Sequence, residues 1–136
     1  MISISSSVAG SEILFTEARD LLELKQFTLG GNWDYKSGSF DHALDQEHKV
    51  WLRIPFEASS GEIDSEHNNE AVIRLGTPYL LRHLYNEGTD PEGSVRVLGA
   101  MFDQFQAPVD PDADISPEWI ERGQALMREV EFLIRG

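Results

Sequence analysis

Large apolar residues occupy every second position from Val50 to Phe56. The residues between them are Trp51, Arg53 and Pro55, so the chain alternates with a period of two. That period predicts a strand with one face on the core and the other face turned away from it. Because proline has no N–H to donate to a neighbouring strand, we expect the strand end at Pro55 to lie at a sheet edge or a bulge.

Weaker alternation and turn residues predict further strands. The segments are residues 27–29, 40–44, 71–75 and 79–85. We expect short turns at Lys36–Gly38 and Asp45–Lys49, and an exposed loop over the polar residues 58–70. Residues 95–105 fit either a strand or a helix, and their two valines and one glycine favour the strand.

Two helices are predicted, one near each end of the chain. Thr16 can cap a short helix that begins at Glu17. A longer helix follows Ser116, because Pro117 suits the first helical position and apolar residues recur on one face as far as Ile134. Strands flanked by two helices predict an α+β two-layer sandwich. Its sheet would be mainly antiparallel with about five strands, and both helices would lie on one face.

Composition narrows the classes of function. The chain has 136 residues, 40% of them hydrophobic, which predicts a single domain over residues 1–136 with its own core. Its 24 acidic residues against 11 lysines and arginines give a net charge of −13. Such a charge repels nucleic-acid phosphates and anionic lipids, so we expect no nucleic-acid binding and no membrane binding. No apolar run approaches the roughly 20 residues of a membrane span.

The absence of cysteine removes thiol catalysis, disulfides and thiolate metal sites. Residues 1–7 have neither the basic start nor the sustained apolar stretch of a secretion signal, so we expect a cytoplasmic protein. No phosphate-binding glycine loop or serine-nucleophile motif is present. We therefore predict no cofactor and a protein that is not an enzyme.

Several blocks of sequence, in order across nearly the whole chain, also resemble one protein family. The blocks are Gly30-Gly31-Asn32-Trp33-Asp34-Tyr35, Arg53-Ile54-Pro55, Leu75-Gly76-Thr77-Pro78, Tyr85-Asn86-Glu87-Gly88 and residues 103–110. On them the chain resembles the YugN-like family of uncharacterised proteins from Bacillus-type bacteria. The resemblance implies an α+β fold similar to the TATA-box-binding-protein-like class, and it brings no catalytic residue or established activity. A shared fold does not imply DNA binding, which the charge of this chain opposes.

Acidic residues from position 110 onward have the spacing of a calcium-binding loop. Asp110, Asp112 and Asp114 are the candidate metal ligands. However, Ile115 stands where such a loop needs glycine for its sharp turn. The acids are equally explained as a solvated approach to the positive N-terminus of the second helix, so we predict no metal site.

The sheet face opposite the helices is the main candidate binding surface. By alternation, Trp51, Arg53 and Arg74 point to that face. Arg82 joins them if the odd-numbered residues of the 79–85 strand face inward. Three guanidiniums beside an aromatic ring could hold a carboxylate or a phosphate. The default is that the arginines pair with acidic neighbours such as Asp41, Glu57 and Glu70.

The same surface, with Val72, Leu80 and Leu84 added, suits a homodimer, because tryptophan, tyrosine and arginine are frequent interface anchors. We therefore predict a non-enzymatic cytoplasmic protein that acts through self-association or by binding an unidentified protein partner. The alternative hypothesis is a small-ligand or anion-binding module that uses Trp51, Arg53, Arg74 and Arg82. An enzyme of a class without a sequence signature is the third hypothesis.

Overall fold

A computed structural model describes residues 1–63, 71–82 and 115–135 of the chain. Its strands are β1 (Ile2–Ser3), β2 (Glu12–Leu14), β3 (Thr28–Leu29), β4 (Ser37–Ala43), β5 (Val50–Ser60), β6 (Val72–Leu75) and β7 (Tyr79–Arg82). Its helices are α1 (Phe15–Glu23) and α2 (Pro117–Arg135). The ambiguous segment 95–105, residues 64–70 of the polar loop and the end of the 79–85 strand lie outside the described residues. The prediction that the loop starts at residue 58 was wrong, because β5 continues to Ser60 by pairing with β6.

The described strands form one antiparallel sheet with β5 at its centre. On one side β5 pairs with β4, which in turn pairs with β3. On the other side its first half pairs with β7 and its second half with β6, and these are extended by β1 and β2. The predicted α+β class is confirmed. The described residues contribute seven strands to the sheet, against about five predicted, because β1 and β2 are too short to show alternation in the sequence.

Pro55 lies within the central strand, so the prediction of a sheet edge was wrong. The Gly76 N–H donates to the Pro55 carbonyl oxygen at 2.7 Å. The carbonyl and the nitrogen of Pro55 therefore point away from β4. Pro55 falls in the gap where β5 changes partner from β7 to β6. The missing N–H of proline therefore costs no ladder hydrogen bond.

The core lies between the sheet and both helices, as predicted. The alternating residues Val50, Leu52, Ile54 and Phe56 of β5 are at most 4% exposed. They belong to one buried cluster with Ala18 and Leu22 of α1 and Met127 and Val130 of α2. Gly123 lets α2 approach the sheet closely, since a Cβ there would lie 2.9 Å from the side chain of Leu80.

The start of α1 differs from the prediction. The helix begins at Phe15, its N-cap is Leu14, and no side chain caps it, so Thr16 is not the cap. The Phe15 N–H instead donates to the carbonyl of Ala71 at 2.9 Å, and the Phe15 ring stacks on Phe40. Tertiary contacts therefore set the start of α1. The start of α2 agrees with the sequence, with Pro117 as the first helical residue.

Met127→Ala should lower the free energy of unfolding by about 2–4 kcal/mol, because the side chain is 1% exposed in the core and its loss leaves a cavity. Phe132→Ala on the same helix is the matched control. That side chain is 76% exposed, so its removal should change stability by about 0.5 kcal/mol or less. Urea denaturation midpoints of the two variants test this, and equal effects would show that α2 does not dock through Met127.

Candidate functional site

The face of the sheet turned away from α1 and α2, here called the outer face, carries most of the predicted site residues. It is defined by the residues that alternate with the buried core positions and by their cross-strand partners. These are Glu12, Leu14, Ser39, Asp41, Trp51, Arg53, Pro55, Glu57, Val72, Arg74, Tyr79 and Leu81. The outer face therefore combines aromatic and aliphatic side chains with charged ones.

Asp41 and Arg53 form the principal ion pair of the outer face. They are direct cross-strand partners on β4 and β5. The Arg53 Nε donates to Asp41 Oδ1 at 3.0 Å, and Nη2 donates to Oδ2 at 3.2 Å. The Ser39 hydroxyl donates to the same Oδ1 at 2.9 Å. Asp41 is only 8% exposed. Its carboxylate is held by several donors at once.

Burial alone would lower the pKa of Arg53, because it disfavours the charged guanidinium. Hydrogen bonds and charge from Asp41, together with a hydrogen bond to Tyr79, outweigh that effect and raise the pKa above its ordinary value. Arg53 is therefore firmly charged and tied to two neighbouring strands.

Arg74 is also paired on the outer face. Its Nη2 donates to Glu12 Oε2 at 3.0 Å, and its Nη1 lies 3.9 Å from Glu57 Oε1. The Arg74 side chain is 50% exposed, so these pairs are solvent-screened. Arg53 and Arg74 thus both have acidic partners, which reduces what either offers to an anion.

Arg82 does not join the other two arginines. The register pairs Leu52 with Leu80 and Val50 with Arg82, which puts Arg82 on the side of the core. Tyr79 and Leu81 point to the outer face and Leu80 lies in the core, so the predicted orientation of this strand was wrong by one residue. Leu84 lies outside the described residues. Arg82 borders a cavity with the acidic turn at Asp45–Glu47 and with Trp119 of α2. The predicted clasp of three guanidiniums is therefore not assembled.

Trp51 lies on the outer face as predicted and is half-buried. Its Nε1–H donates to the carbonyl oxygen of His48 at 2.8 Å, and the His48 ring meets the indole edge-on with centroids 5.6 Å apart. His48 has a φ of 61°, in the left-handed region. The indole is therefore fixed against the turn between β4 and β5.

A cavity of about 230 Å³ opens beside the Asp41–Arg53 pair. Residues 30–32 line one side of the cavity. Tyr79 lines the other side from β7, the strand that pairs with β5. Gly30 is needed there, because a Cβ at that position would lie 2.8 Å from both Asp41 Oδ2 and Ser39 Oγ. Sequence reasoning missed Tyr79 and Gly30 as members of this site. The Gly30-Gly31 pair was the available signal, because glycine lets a backbone approach other groups closely.

The turn before β4 begins earlier than predicted, since Ser37 and Gly38 already belong to the strand. The Asp34 carboxylate accepts hydrogen bonds from the backbone N–H groups of Lys36 at 2.7 Å and Ser37 at 2.9 Å. These two bonds lower the pKa of Asp34 from its ordinary value of 3.8. The turn is therefore stabilised by the ionised form.

The metal candidates Asp110, Asp112 and Asp114 lie outside the described residues. Within the described ranges, no group of three histidine or acidic side chains is arranged to hold a metal ion. Neither α1 nor α2 combines the length and apolar character needed to cross a membrane.

Comparison with known proteins places the chain among relatives without a described activity. The profile of the YugN-like family matches residues 3–134. The uncharacterized protein YugN of Bacillus subtilis (strain 168) is 31% identical over 135 residues, covering 98% of each chain. The uncharacterized protein YlbA of the same organism is 35% identical over 72 residues, covering 52% of this chain and 58% of that protein.

A solved structure shares the fold. The crystal structure of the uncharacterized conserved protein YugN from Geobacillus kaustophilus HTA426 matches with a TM-score of 0.71 and 17% identity. The match covers 99% of this chain and 96% of that one.

Asp41→Asn should lower the free energy of unfolding by about 2–3 kcal/mol, because it leaves the half-buried Arg53 guanidinium without a charged partner. Glu12→Gln is the matched control, because it weakens an exposed pair and should cost about 1 kcal/mol or less. Chemical denaturation of both variants gives the comparison. Equal, small losses would mean that the Asp41–Arg53 pair is as weak as a surface pair.

Acidification should protonate Asp34 only below pH 3.8, because its folded pKa is lowered. The stability that ionised Asp34 contributes to the folded protein is fully present above that value. It is lost as the pH falls through the lower folded pKa. Amide NMR shifts of Lys36 and Ser37 report the titration. A midpoint at or above 3.8 would contradict the two hydrogen bonds, and Asp34→Ser should abolish the transition.

Proposed function

The chain belongs to the YugN-like family, and we propose that it works by binding a second copy of itself through the outer face of its sheet. One observation carries this proposal. In the described part of the chain, both helices pack on the inner face, while the outer face presents Leu14, Trp51, Pro55 and Val72 around internally paired charges. Leu14 is 43% exposed and Trp51, Pro55 and Val72 are all partly exposed, whereas Leu81 on the same face is only 6% exposed.

Charge supports self-association through this face rather than through another surface. The chain has a net charge of −13, so two copies repel each other over most of their surfaces. The charged residues of the outer face are Glu12, Asp41, Glu57, Arg53 and Arg74, and both arginines are paired with these acids. The outer face is therefore close to neutral and brings little like charge together.

The short edge strands favour packing of two copies face to face over pairing of their edge strands. The outermost strands in the described sheet are β1, β2 and β3, with two or three residues each. Such short edges offer few free backbone groups for pairing with another chain. We also propose a cytoplasmic location, which the absence of cysteine supports.

The positions of the three arginines count against the alternative hypothesis, in which they bind an anion together. Arg82 lies on the side of the core, and Arg53 and Arg74 are engaged by acids. An added anion would have to displace these carboxylates or approach beside them, in a chain that is already strongly acidic.

Light scattering on the purified protein should give a mass near twice 15.3 kDa. The dimer fraction should rise with added salt, because salt screens the repulsion between the two acidic chains but leaves apolar contacts intact. Trp51→Ala should shift the protein towards monomer. Phe132→Ala is the matched control, since it removes an exposed aromatic ring from the helical layer and should leave the mass unchanged.

A monomer at every concentration and salt would contradict self-association. A dimer that dissociates with Phe132→Ala but not with Trp51→Ala would move the interface to the helices. A dimer fraction that falls as salt is added would show that ion pairs, and not the apolar residues of the outer face, hold the copies together.

A further inference from the structure

The cavity beside Asp41 and Arg53 has an adjacent donor and acceptor that contacts within residues 1–63, 71–82 and 115–135 do not fully use. The guanidinium carries more N–H groups than its contacts to Asp41 and Tyr79 occupy. Among the described residues, Asp41 Oδ2 receives one hydrogen bond, from Arg53, and can accept another. Because residue 30 is glycine, that position places no side chain against the oxygen.

The charge and size of the cavity limit what fits. The carboxylate and the guanidinium compensate each other, so an ion of either sign would meet a like charge at short range as well as an opposite one. A volume of about 230 Å³ is below the range of drug-sized sites and suits a molecule of few heavy atoms. The hydroxyls of Ser37, Ser39 and Tyr79 and the backbone of Gly30–Asn32 make the remaining wall polar.

We propose that this cavity binds a small uncharged polyol through two neighbouring hydroxyl groups. Each hydroxyl both donates and accepts a hydrogen bond, so a vicinal pair can donate to Asp41 Oδ2 and accept from the free edge of Arg53. A carboxylate lacks the donor, a phosphate brings negative charge next to Asp41, and an ammonium group lacks the acceptor. The cavity opens on the outer face proposed for self-association and shares Pro55 with that contact.

Gly31 lines the cavity and provides a variant that adds bulk there without a clash. A Cβ at Gly31 would have no atom within 4 Å, and the backbone there is not in the left-handed region. Valine is stiff at χ1, so its two methyl groups add fixed bulk at this lining position. Tyr79→Phe is a second variant, which removes one hydroxyl from the cavity and its hydrogen bond to Arg53.

The test is an NMR titration of the labelled protein with erythritol, and separately with sodium acetate and inorganic phosphate. Erythritol should give saturable shifts at Gly30, Gly31 and Ser39, with a dissociation constant in the millimolar range. Gly31→Val should weaken binding about tenfold or more, with an unchanged melting temperature and an unchanged solution mass. Tyr79→Phe should also weaken it, which keeps the test decisive if Gly31→Val does not fold.

Tighter saturable binding of acetate or phosphate than of erythritol would overturn the assignment to an uncharged ligand. The absence of saturable shifts with every probe would overturn the site itself. Erythritol binding that survives both variants would place it elsewhere on the protein. None of these results alters the expected mass of the wild-type protein, so this inference can fail while the proposed self-association stands.

Discussion

The structure depends on the strict alternation of β5, because this strand is paired on both sides along its length. Its inward residues belong to the buried cluster against which both helices pack. These are Val50, Leu52, Ile54 and Phe56. Each such side chain contributes about 1.5–3 kcal/mol when it is removed from water. A slip of one residue would exchange these apolar groups for Trp51, Arg53 and Pro55, so register and core are fixed together.

The same alternation decides where the chemistry of the protein lies. Each core residue of β5 forces its neighbour onto the outer face, and the antiparallel register then brings Asp41 opposite Arg53. A half-buried ion pair is weak support for stability, because desolvation offsets much of the attraction. What the pair does provide is fixed geometry, since it ties β4 to β5 and, through Tyr79, to β7. The outer face is therefore both nearly neutral and rigid.

The structure could be predicted from local sequence where the pattern of residues has a single physical interpretation. The alternation of β5 and the Ser116-Pro117 start of α2 are of this kind, and so are the α+β class and the placement of both helices. In β7 three apolar residues, Tyr79, Leu80 and Leu81, run together, so alternation could not say which faces inward. The register with β5 settles it, and that register was not available from the sequence. Thr16 failed as a cap for a similar reason, because Phe15 is anchored by contacts distant in sequence.

The central claim is that two copies meet through the outer face. Isotope-filtered NMR on an equal mixture of labelled and unlabelled protein tests it most directly, since it detects only contacts between copies. We predict such contacts from the side chains of Leu14, Trp51 and Val72. Contacts that arise only from the helical layer, for example from Phe132, would contradict the claim, and so would the absence of any contact between copies at a concentration where the protein is dimeric.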